Sequence, residues 1–596
     1  MPLRNFCHYA LIMAVSSGLY AAPAWVARSN QNAEVLLKTI SDFSPEGAGQ
    51  LGMTGFDDKI LDLKPGIYER SQKATEDAKA ILEQRLPEEK DPLVKQDLEI
   101  LIKAADDNYH QAEVGHNRQL PYFNVPQTIF FGIRTLLDDQ VAPERRKAAL
   151  VRLRRYAGLD PGYTPVTLLA EQRTRERMSV PGLLGPSKAE VEKDLSNGPF
   201  FIDGIGKLFT KYKLEGYQPA YAKLKEQLTA YEGFVKSDVL PRARADFRLP
   251  PDLYRLQLDN YGVDIDPAKL AAEAQAAFTQ IQGQMQVVAA KLARERGYPS
   301  PDYRDVIREL KKQQITGKAI LPFYEHRLAQ IEEIIRREHL VTLPDRPARI
   351  RLATAAESAQ IPAPHMDPPR LIGNAGEKGE FVLPLNVPSK DGKMQNFDDF
   401  TFDAAAWTLT AHEARPGHEL QFDSMVEHGV STARAVFTFN SANVEGWGLY
   451  SEWILQPYLP LDGQLICLQH RLMRAGRAFL DPELHMGKVT PDQALHVLKH
   501  DVVLSDAMAN EEVERYMFRS PGQATAYFYG YTRLLEIRKD AEQKLGANFN
   551  ALRFHDFILA QGLLPPTLMR KQVEDVFIPE ESRRASGHSI ETPGLQ

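Results

Sequence analysis

The chain has 596 residues, of which 43% are hydrophobic and 25% are charged, a composition typical of an ordinary globular protein rather than a disordered or fibrous one. Its length allows more than one hydrophobic core. The formal net charge of -7 leaves no surplus of basic side chains to neutralise a polyphosphate backbone, so nucleic acid is not expected as a partner.

The first 24 residues (1–24) have the pattern of an export signal. Arg4 precedes a mainly apolar stretch, and Ala22-Pro23-Ala24 offers the small-x-small sequence of a cleavage point. A transmembrane anchor is the alternative, but Tyr20, Pro23 and the short apolar core argue against it. No later stretch reaches about 18 consecutive apolar residues. We therefore expect a periplasmic or secreted protein, with no stable membrane insertion after the signal is removed.

Most of the following chain carries helical signals, and residues 266–297 show why. Asp266 can cap a helix, Pro267 suits its first position, and Gly297 can end it. The residues between them are rich in helix formers. Similar amphipathic patterns occur in four other long segments, at 71–86, 91–115, 220–236 and 321–338.

One region differs, because three short β-prone segments bounded by proline and glycine predict a small sheet. These segments are 339–344, 348–354 and 379–387. Helical patterns then resume to about residue 570, and residues 576–596 are predicted to form a polar tail.

The sequence TLTAHEARPGHELQFD, residues 408–423, follows the predicted sheet and is close to a zinc-binding helix with altered spacing. Zinc helices usually carry two histidines four residues apart, in the pattern H-E-x-x-H. Here His412 and His418 are six apart. Pro416 has no N–H for the helical hydrogen bond and Gly417 gives the backbone freedom, so we expect a bulge that brings the histidines together. The alternative is a kinked core helix whose histidines bond to other polar groups.

A second predicted helix, at 443–456, supplies a candidate third ligand. Glu445 and Glu452 lie seven residues apart on the same side of this helix. Two buried carboxylates need a positive partner, since unpaired buried charges cost several kcal/mol. Zinc held by His412, His418 and Glu445 would provide that charge and leave a fourth position open for water. A salt bridge to an arginine is the alternative.

Taken together, these segments resemble a bacterial family filed as domain of unknown function 885. The resemblance rests on two motifs and three further segments: His412-Glu413-x-x-Pro416-Gly417-His418, Glu445-Gly446-Trp447, 474–488, 512–530 and 553–566. The family often has a second histidine directly after the one at 418, whereas this chain has Glu419. That departure removes a rival metal ligand and favours His418.

The resemblance implies a fold, a cofactor and a substrate class. Proteins of this family are taken to be mostly helical, zincin-like metallopeptidases. We therefore expect a mainly α fold, namely a large helical zincin-like fold with a deep cleft and a small β-sheet next to the active-site helix. Residues 25–335 would form an N-terminal helical region lining the cleft, and residues 336–575 the zinc-binding catalytic region. The expected cofactor is zinc, and the expected partner is a short peptide substrate.

The expected reaction is hydrolysis of an amide bond by a zinc-bound water. Glu413 follows His412 as in other H-E zinc helices, so it is the candidate base that accepts the proton of that water. A second donor to the oxyanion is usually needed. The family-like segments offer Tyr527, His485 and Arg515, in decreasing order of preference, and each of them could instead have a structural role.

Two further residues are candidates for binding substrate. Asn386, at the end of a β-prone segment, could help an edge strand hold an extended peptide, and Arg538 could bind a terminal carboxylate. A helix-surface salt bridge is an equal alternative for Arg538. A hydrolase of non-peptide amides or esters, or a non-catalytic peptide-binding protein, are alternative functions. Glu413 argues against the last of these, because a purely structural metal site needs no base.

Overall fold

The computed structural model describes residues 23–388 and 394–585, and the described chain is mainly helical. Most of the predicted signal, residues 1–22, lies outside these ranges. The helices that precede the sheet region are α1 Ala24–Phe43, α2 Pro45–Leu51, α3 Ile67–Arg85, α4 Pro92–Arg118, α5 Val125–Arg134, α6 Pro143–Arg146, α7 Ala148–Tyr156, α8 Val166–Arg177, α9 Lys188–Lys211, α10 Gln218–Phe234, α11 Pro251–Asn260, α12 Pro267–Arg296, α13 Tyr303–Lys311 and α14 Ile320–Arg337.

The long predicted helices agree with these bounds to within a few residues. In α12 the Asp266 carboxylate accepts hydrogen bonds from the N–H groups of Ala268 and Lys269, both at 3.0 Å. Gly297 ends the helix in the left-handed conformation, at φ 68°. Both ends of α12 are therefore capped by the residues that the sequence predicts as caps, Asp266 and Gly297.

The sheet region contains two small sheets rather than one. Its elements are β1 Arg349–Leu352, α15 Ala355–Gln360, β2 His365–Asp367, β3 Glu380–Leu383, β4 Asn386–Pro388 and β5 Met394–Asn396. In the first sheet the order is β1-β3-β2, with β1 parallel and β2 antiparallel to β3. In the second, β4 pairs antiparallel with β5.

The prediction of strands was right for two of the three segments. Residues 348–354 and 379–387 contain β1, β3 and the first two residues of β4, but 339–344 forms no strand and leads out of α14 as a coil. In that coil the buried Leu340 and Val341 pack in a helical core, so their apolar character comes from burial and not from strand pairing. The short strand β2 had no clear sequence signal.

The remaining helices follow β5 and contain several π-helical turns. They are α16 Asp403–Leu409, α17 His418–Glu427, α18 Ser441–Leu455, α19 Leu461–His485, α20 Pro491–His496, α21 Asp506–Glu514, α22 Thr525–Leu545, α23 Ala551–Ala560, α24 Pro566–Gln572 and α25 Ile578–Ala585. The π turns of this part are Thr410–Ala414, Ala433–Phe437, Val497–Asp501, Arg515–Arg519 and Val573–Phe577.

The predicted polar tail, 576–596, begins too early. Phe577 is buried in a hydrophobic core, and α25 continues to Ala585. Glu581 of α25 is also buried, where Arg553 of α23 binds it. Apolar positions and an ion pair with α23 therefore hold the chain in the fold for about ten residues beyond the predicted boundary.

Helices from both predicted regions build the same hydrophobic cores. Ala33, Leu98 and Ile331 of the first region pack in one cluster with Trp447 and Leu449 of α18. Helices α12 and α19 pack against each other in a second cluster, and a third lies around α5 and α9. The boundary predicted at 335/336 therefore does not separate two independent cores. Within the described residues, no helix has the length and apolarity needed to cross a bilayer.

Candidate functional site

The two motif histidines come together because the helix that carries them is interrupted. Helix α16 runs into the π turn Thr410–Ala414, in which the N–H of Arg415 bonds to the carbonyl of Thr410 at 3.1 Å. The Arg415–Pro416 peptide bond is cis, and α17 starts at His418. The rings of His412 and His418 are 4.6 Å apart and nearly perpendicular. The predicted bulge is thus present, as a π turn followed by a break in the helix.

Gly417 is required at this break by space. A Cβ at this position would lie 1.9 Å from the carbonyl oxygen of His412 and 2.4 Å from that of Ala411. No side chain can be accommodated so close to two backbone oxygens without moving the turn.

Glu445 of α18 completes a cluster of three potential metal ligands. Its Oε2 lies 3.4 Å from Nε2 of His412 and 3.4 Å from Nε2 of His418. One donor atom from each residue lies within 4.8 Å of the other two. Oε2 is buried and has no hydrogen bond of acceptable geometry. The three side chains therefore converge without satisfying one another.

These distances fit a metal ion better than they fit direct hydrogen bonds. Ligands held roughly 2.0–2.2 Å from a tetrahedral zinc ion lie about 3.3–3.6 Å from one another, which matches both 3.4 Å spacings. Among the described residues no arginine pairs with Glu445, so the alternative of an arginine salt bridge does not describe this carboxylate. The donor set of two imidazoles and one carboxylate is one that zinc uses in catalytic sites.

Glu452 lies about two turns after Glu445 in α18 and orients the imidazole of His412. Its Oε1 accepts a hydrogen bond from Nδ1 of His412 at 2.7 Å, and its Oε2 accepts one from the hydroxyl of Thr408 at 2.7 Å. Arg474 of α19 lies 3.6 Å from the same carboxylate. Bonding at Nδ1 leaves Nε2 of His412 free to bind a metal, which is the usual arrangement of a metal-bound histidine.

Two glycines of α18 let this helix come close to its neighbours. A Cβ on Gly448 would lie 2.6 Å from Cε1 and 2.7 Å from Nε2 of His412, and 2.9 Å from Cε1 of His418. A Cβ on Gly446 would lie 2.6 Å from the backbone carbon of Gly530 in α22. Gly448 therefore makes room for the histidine rings, and Gly446 for the crossing of α18 and α22.

The electrostatics of the cluster favour a cation. Burial lowers the pKa of His412, but the adjacent carboxylates of Glu445 and Glu452 outweigh burial and raise it. Burial raises the pKa of Glu445, yet contact with His412 and His418 holds it well below its usual value. The carboxylates thus create a negative potential at the imidazoles, where either protons or a metal ion would be stabilised.

Glu413 has a different environment from these carboxylates. It is only 6% exposed, and burial raises its pKa to about 8. The charge of His418 opposes this shift, and the carboxylates of Glu445 and Glu452 add to it. A carboxyl group whose pKa lies near neutrality is suited to accept and return a proton.

A cavity of about 630 Å³, here called the Glu445 cavity, opens beside the cluster. Its lining includes Glu445, Tyr527 and Arg515, together with residues of α9 and of the loop before β2. A second cavity of about 840 Å³ adjoins it and shares Tyr122 and Tyr261 of its lining. A ligand in the Glu445 cavity can therefore reach one of the three metal-ligand candidates directly.

Two of the predicted oxyanion donors line the Glu445 cavity. The hydroxyl of Tyr527 accepts a hydrogen bond from Nη2 of Arg515 at 3.0 Å, and its ring lies 6.0 Å from that of His412 in a stacked arrangement. The guanidinium groups of Arg477 and Arg515 lie 4.5 and 5.3 Å from the centre of the Tyr527 ring. Sequence reasoning missed Arg477, because a basic residue within the pattern of α19 gives no sign of being buried beside a tyrosine.

The third predicted donor, His485, lies elsewhere. Its Nδ1 accepts a hydrogen bond from the N–H of Leu249 at 3.0 Å, and its Nε2 donates to the carbonyl of Tyr516 at 2.9 Å. Its ring also stacks on Tyr254 at 4.6 Å. Both ring nitrogens are occupied by the backbone, so this histidine connects structural elements and has no nitrogen left for a substrate.

The two predicted substrate-binding residues are not brought to the cavity either. Arg538 binds Glu542 through Nε at 2.7 Å and the hydroxyl of Tyr450 through Nη1 at 2.8 Å, which matches the salt-bridge alternative. Asn386 lies in β4, where it pairs with Asn396, and is not part of the lining of the Glu445 cavity.

Comparisons with known proteins agree with the fold and identify the family. No curated protein matches the chain. A solved structure described as "the putative lipoprotein from Colwellia psychrerythraea" is similar, with a TM-score of 0.70 and 18% identity over 93% of this chain and 99% of that one. A second, "a putative lipoprotein of unknown function from Shewanella oneidensis", has a TM-score of 0.67 and 18% identity, over 93% of this chain and all of that one. These likenesses show a shared fold.

The family model described as "Bacterial protein of unknown function (DUF885)" matches residues 45–573. This range includes every residue of the candidate site and nearly all described helices. The chain therefore belongs to the bacterial family of domain of unknown function 885.

Proposed function

We propose that this protein is a zinc-dependent metallopeptidase that hydrolyses short peptides. The observation that carries the proposal is the convergence of His412, His418 and Glu445 at spacings that suit one tetrahedral ion. Glu413, next in sequence to His412, supplies the base that a hydrolytic site needs and a structural metal site does not. In this reading the Glu445 cavity is the predicted active-site cleft, and the fold is zincin-like.

Zinc bound by these residues would polarise the scissile carbonyl and lower the pKa of a bound water towards about 7. The protein's own groups supply the proton transfers and the orientation. Glu413 takes the proton of the attacking water at its carboxylate and returns it to the leaving amine. Glu452 keeps His412 in the tautomer that carries its proton at Nδ1 and leaves Nε2 unprotonated.

Tyr527 is the donor that we assign to the oxyanion. Its hydroxyl accepts from Arg515, so its own proton is free to point into the Glu445 cavity, which Tyr527 also lines. Arg515 is a positioning residue in this scheme, because its guanidinium fixes the hydroxyl. Such a preorganised donor typically contributes about 10²–10³ in kcat.

Export is part of the proposal. The N-terminal sequence has the pattern of a signal, and the two similar solved structures are described as putative lipoproteins. We infer that the mature protein acts outside the cytoplasm, where short peptides from outside the cell are available as substrates.

A peptide-library digestion read by mass spectrometry tests the proposed activity. The zinc-loaded protein is expected to cleave amide bonds, and Glu413→Gln is expected to keep zinc and lose cleavage. Glu99→Gln, at an exposed position of α4, is the matched control and should cleave normally. Equal cleavage by Glu413→Gln would remove Glu413 as the base, and no cleavage by the wild type across the library would reject the peptidase in favour of another hydrolase or a binding protein.

A further inference from the structure

One wall of the Glu445 cavity is formed by a face of α9 that is rich in hydrogen-bond acceptors. Glu190, Asp194 and Asn197 occur on successive turns of this helix and all line the cavity. The carboxylate of Asp194 accepts a hydrogen bond from the hydroxyl of Tyr122 at 3.0 Å. The side chain of Glu190 caps its own helix through the N–H of Ser187.

Two basic groups near this face, Lys193 and Arg519, are already paired with other acids. Lys193 lies 3.2 Å from Glu511 and 3.0 Å from Glu514. Arg519 lies 2.8 and 3.0 Å from the same two carboxylates. Two positive and two negative charges therefore neutralise one another in a closed group.

Glu190 and Asp194 remain outside that group. Among the residues that the structure describes, neither has a lysine, arginine or histidine nitrogen within 4.0 Å. A third basic group near this face, Arg244, donates to the backbone carbonyl of Gly185 and lies more than 4.0 Å from the carboxylate of Glu190. Burial raises the pKa of Glu190, and the charge of Arg244 lowers it in part.

Burial raises the pKa of Asp194 to about 7, and the neighbouring charge of Glu190 adds to the shift. Bonds from Tyr122 and Asn124 and the more distant charge of Arg519 oppose the shift without cancelling it. A cation placed beside Asp194 would lower its pKa further.

Asn197 gives independent evidence that a donor binds here. It is 6% exposed, and its Nδ2 donates to the carbonyl of Ala359 at 3.3 Å, which fixes the orientation of the amide. Its Oδ1 is buried and has no hydrogen-bond partner among the described residues. Buried acceptors are almost always satisfied, so an unsatisfied one in a cavity wall has room for a hydrogen-bond donor, either from an ordered water or from a ligand that displaces it.

We propose that the α9 face is a subsite for a positively charged amine of the substrate, recognised by Asp194, Glu190 and Asn197. An ammonium group has three hydrogen-bond donors and one positive charge. It can therefore donate to the amide oxygen of Asn197 and also pair with the carboxylates of Asp194 and Glu190. The inference rests on the proposed hydrolysis at the metal cluster, which lies at the same cavity through Glu445. The amine is either a peptide's free N-terminus or a lysine side chain.

Calorimetric titration of the zinc-loaded Glu413→Gln protein tests this subsite without turnover. The three probes are Ala-Phe-Ala, N-acetyl-Ala-Phe-Ala and N-acetyl-Lys-Phe-Ala, which share Phe-Ala and differ in whether, and where, the first residue carries an ammonium group. We expect a cationic peptide to bind at least about tenfold more tightly than the neutral acetylated one, since bonds to charged groups contribute more than neutral ones. Preference for the first probe assigns the N-terminus, and preference for the third assigns the lysine side chain.

Two further variants isolate the residues, each combined with Glu413→Gln. Asp194→Asn keeps the size of the side chain and should abolish the preference for cationic probes. Glu190→Gln keeps the helix cap and should reduce it. Asp203→Asn, on the exposed part of the same helix, is the matched control and should change nothing.

The subsite is overturned if the three probes bind equally, if neither cationic probe binds, or if Asp194→Asn retains the preference. These failures differ from failure of the proposed function. Cleavage without preference for an amine would leave the peptidase and reject the subsite. If the protein preferred an amine but the wild type cleaved no peptide, the subsite would stand and the peptidase would be rejected.

Discussion

Each of two sides of α18 contacts a buried histidine cluster, and the two clusters differ in whether their polar atoms are hydrogen-bonded. On one side Glu445 faces His412 and His418, and donor atoms converge without bonding one another. On the other side the hydroxyl of Tyr450 lies 2.8 Å from Nε2 of His555.

The second cluster is saturated. Nδ1 of His555 donates to the carbonyl of Leu340 at 2.5 Å, and Arg538 donates to the hydroxyl of Tyr450. Burial alone therefore does not distinguish a metal site from a structural one. What distinguishes them is whether the ring nitrogens are already used by local hydrogen bonds.

Removal of a metal ligand should have the largest effect and should separate the two clusters. His412→Ala and Glu445→Ala are expected to lower zinc affinity by more than about 100-fold, because loss of a residue that only supports a ligand already costs about 10–100-fold. Competition with a chromophoric chelator measures the affinity. His428→Ala, an exposed histidine just after α17, should bind zinc as the wild type does. Unchanged affinity in both ligand variants would refute the ligand set.

A methyl group added at Gly448 should be almost as damaging. Its Cβ would lie within 2.9 Å of both histidine rings and push them apart. We expect Gly448→Ala to lower kcat/KM by about 100-fold, the scale of a displacement of about 1 Å at a catalytic group. The control is Gly283→Ala in α12, where nothing lies within 4 Å of the new Cβ. Normal activity of Gly448→Ala would mean that the rings do not hold the positions described.

Loss of the carboxylate behind His412 should have a smaller effect. Glu452→Gln is expected to weaken zinc binding by about 10–100-fold, because a neutral amide replaces the charged carboxylate that orients the imidazole of His412. The counterpart on the opposite side, Tyr450→Phe, should leave zinc affinity unchanged and lower the free energy of unfolding by about 1–2 kcal/mol. Zinc titration and urea unfolding of both variants distinguish the two results. A loss of zinc in Tyr450→Phe would show that the clusters are coupled.

We expect the smallest effect on the metal centre from His555, whose ring nitrogens are both hydrogen-bonded. This histidine should instead affect the free energy of unfolding. Burial lowers the pKa of His555 to about 4 from the unfolded value of 6.5. Between these values the unfolded chain binds more protons than the folded one, so the stability that this group contributes above pH 6.5 is lost as the pH falls towards 4.

His555→Gln should therefore reduce the dependence of unfolding free energy on pH in that window, by at most roughly 1.4 kcal/mol per pH unit. Thermal or urea unfolding at several pH values measures the slope. His485, whose pKa burial also lowers to about 4, keeps part of the dependence in the variant. A slope identical to that of the wild type would contradict the assigned burial of a neutral His555.

Much of the fold could be predicted from sequence because its signals are local. The ends of α12 follow from Asp266, Pro267 and Gly297, each of which acts on its own helix terminus. The end of the chain was less predictable, because Phe577 and α25 are held by distant partners. The same is true of β2, which exists through pairing with β3.

Part of the candidate site could likewise be predicted from local sequence, and part of it could not. Pro416 and Gly417 indicated a break between the two histidines, and the structure has one there. The placement of His485 could not be predicted, because its partners Leu249 and Tyr516 lie far away in sequence. The salt bridge of Arg538 with Glu542 is local and was one of the two alternatives, whereas its bond to Tyr450 is not local. Local patterns thus predict where a backbone deviates, whereas the use of a side chain depends on its neighbours in the fold.

Diffraction from crystals of the zinc-loaded protein, at wavelengths on either side of the zinc absorption edge, would show whether His412, His418 and Glu445 bind the metal. We expect one anomalous peak, placed between Nε2 of His412, Nε2 of His418 and Oε2 of Glu445. Absence of a peak there, with those three atoms bonded to protein groups or with zinc bound elsewhere, would contradict this expectation.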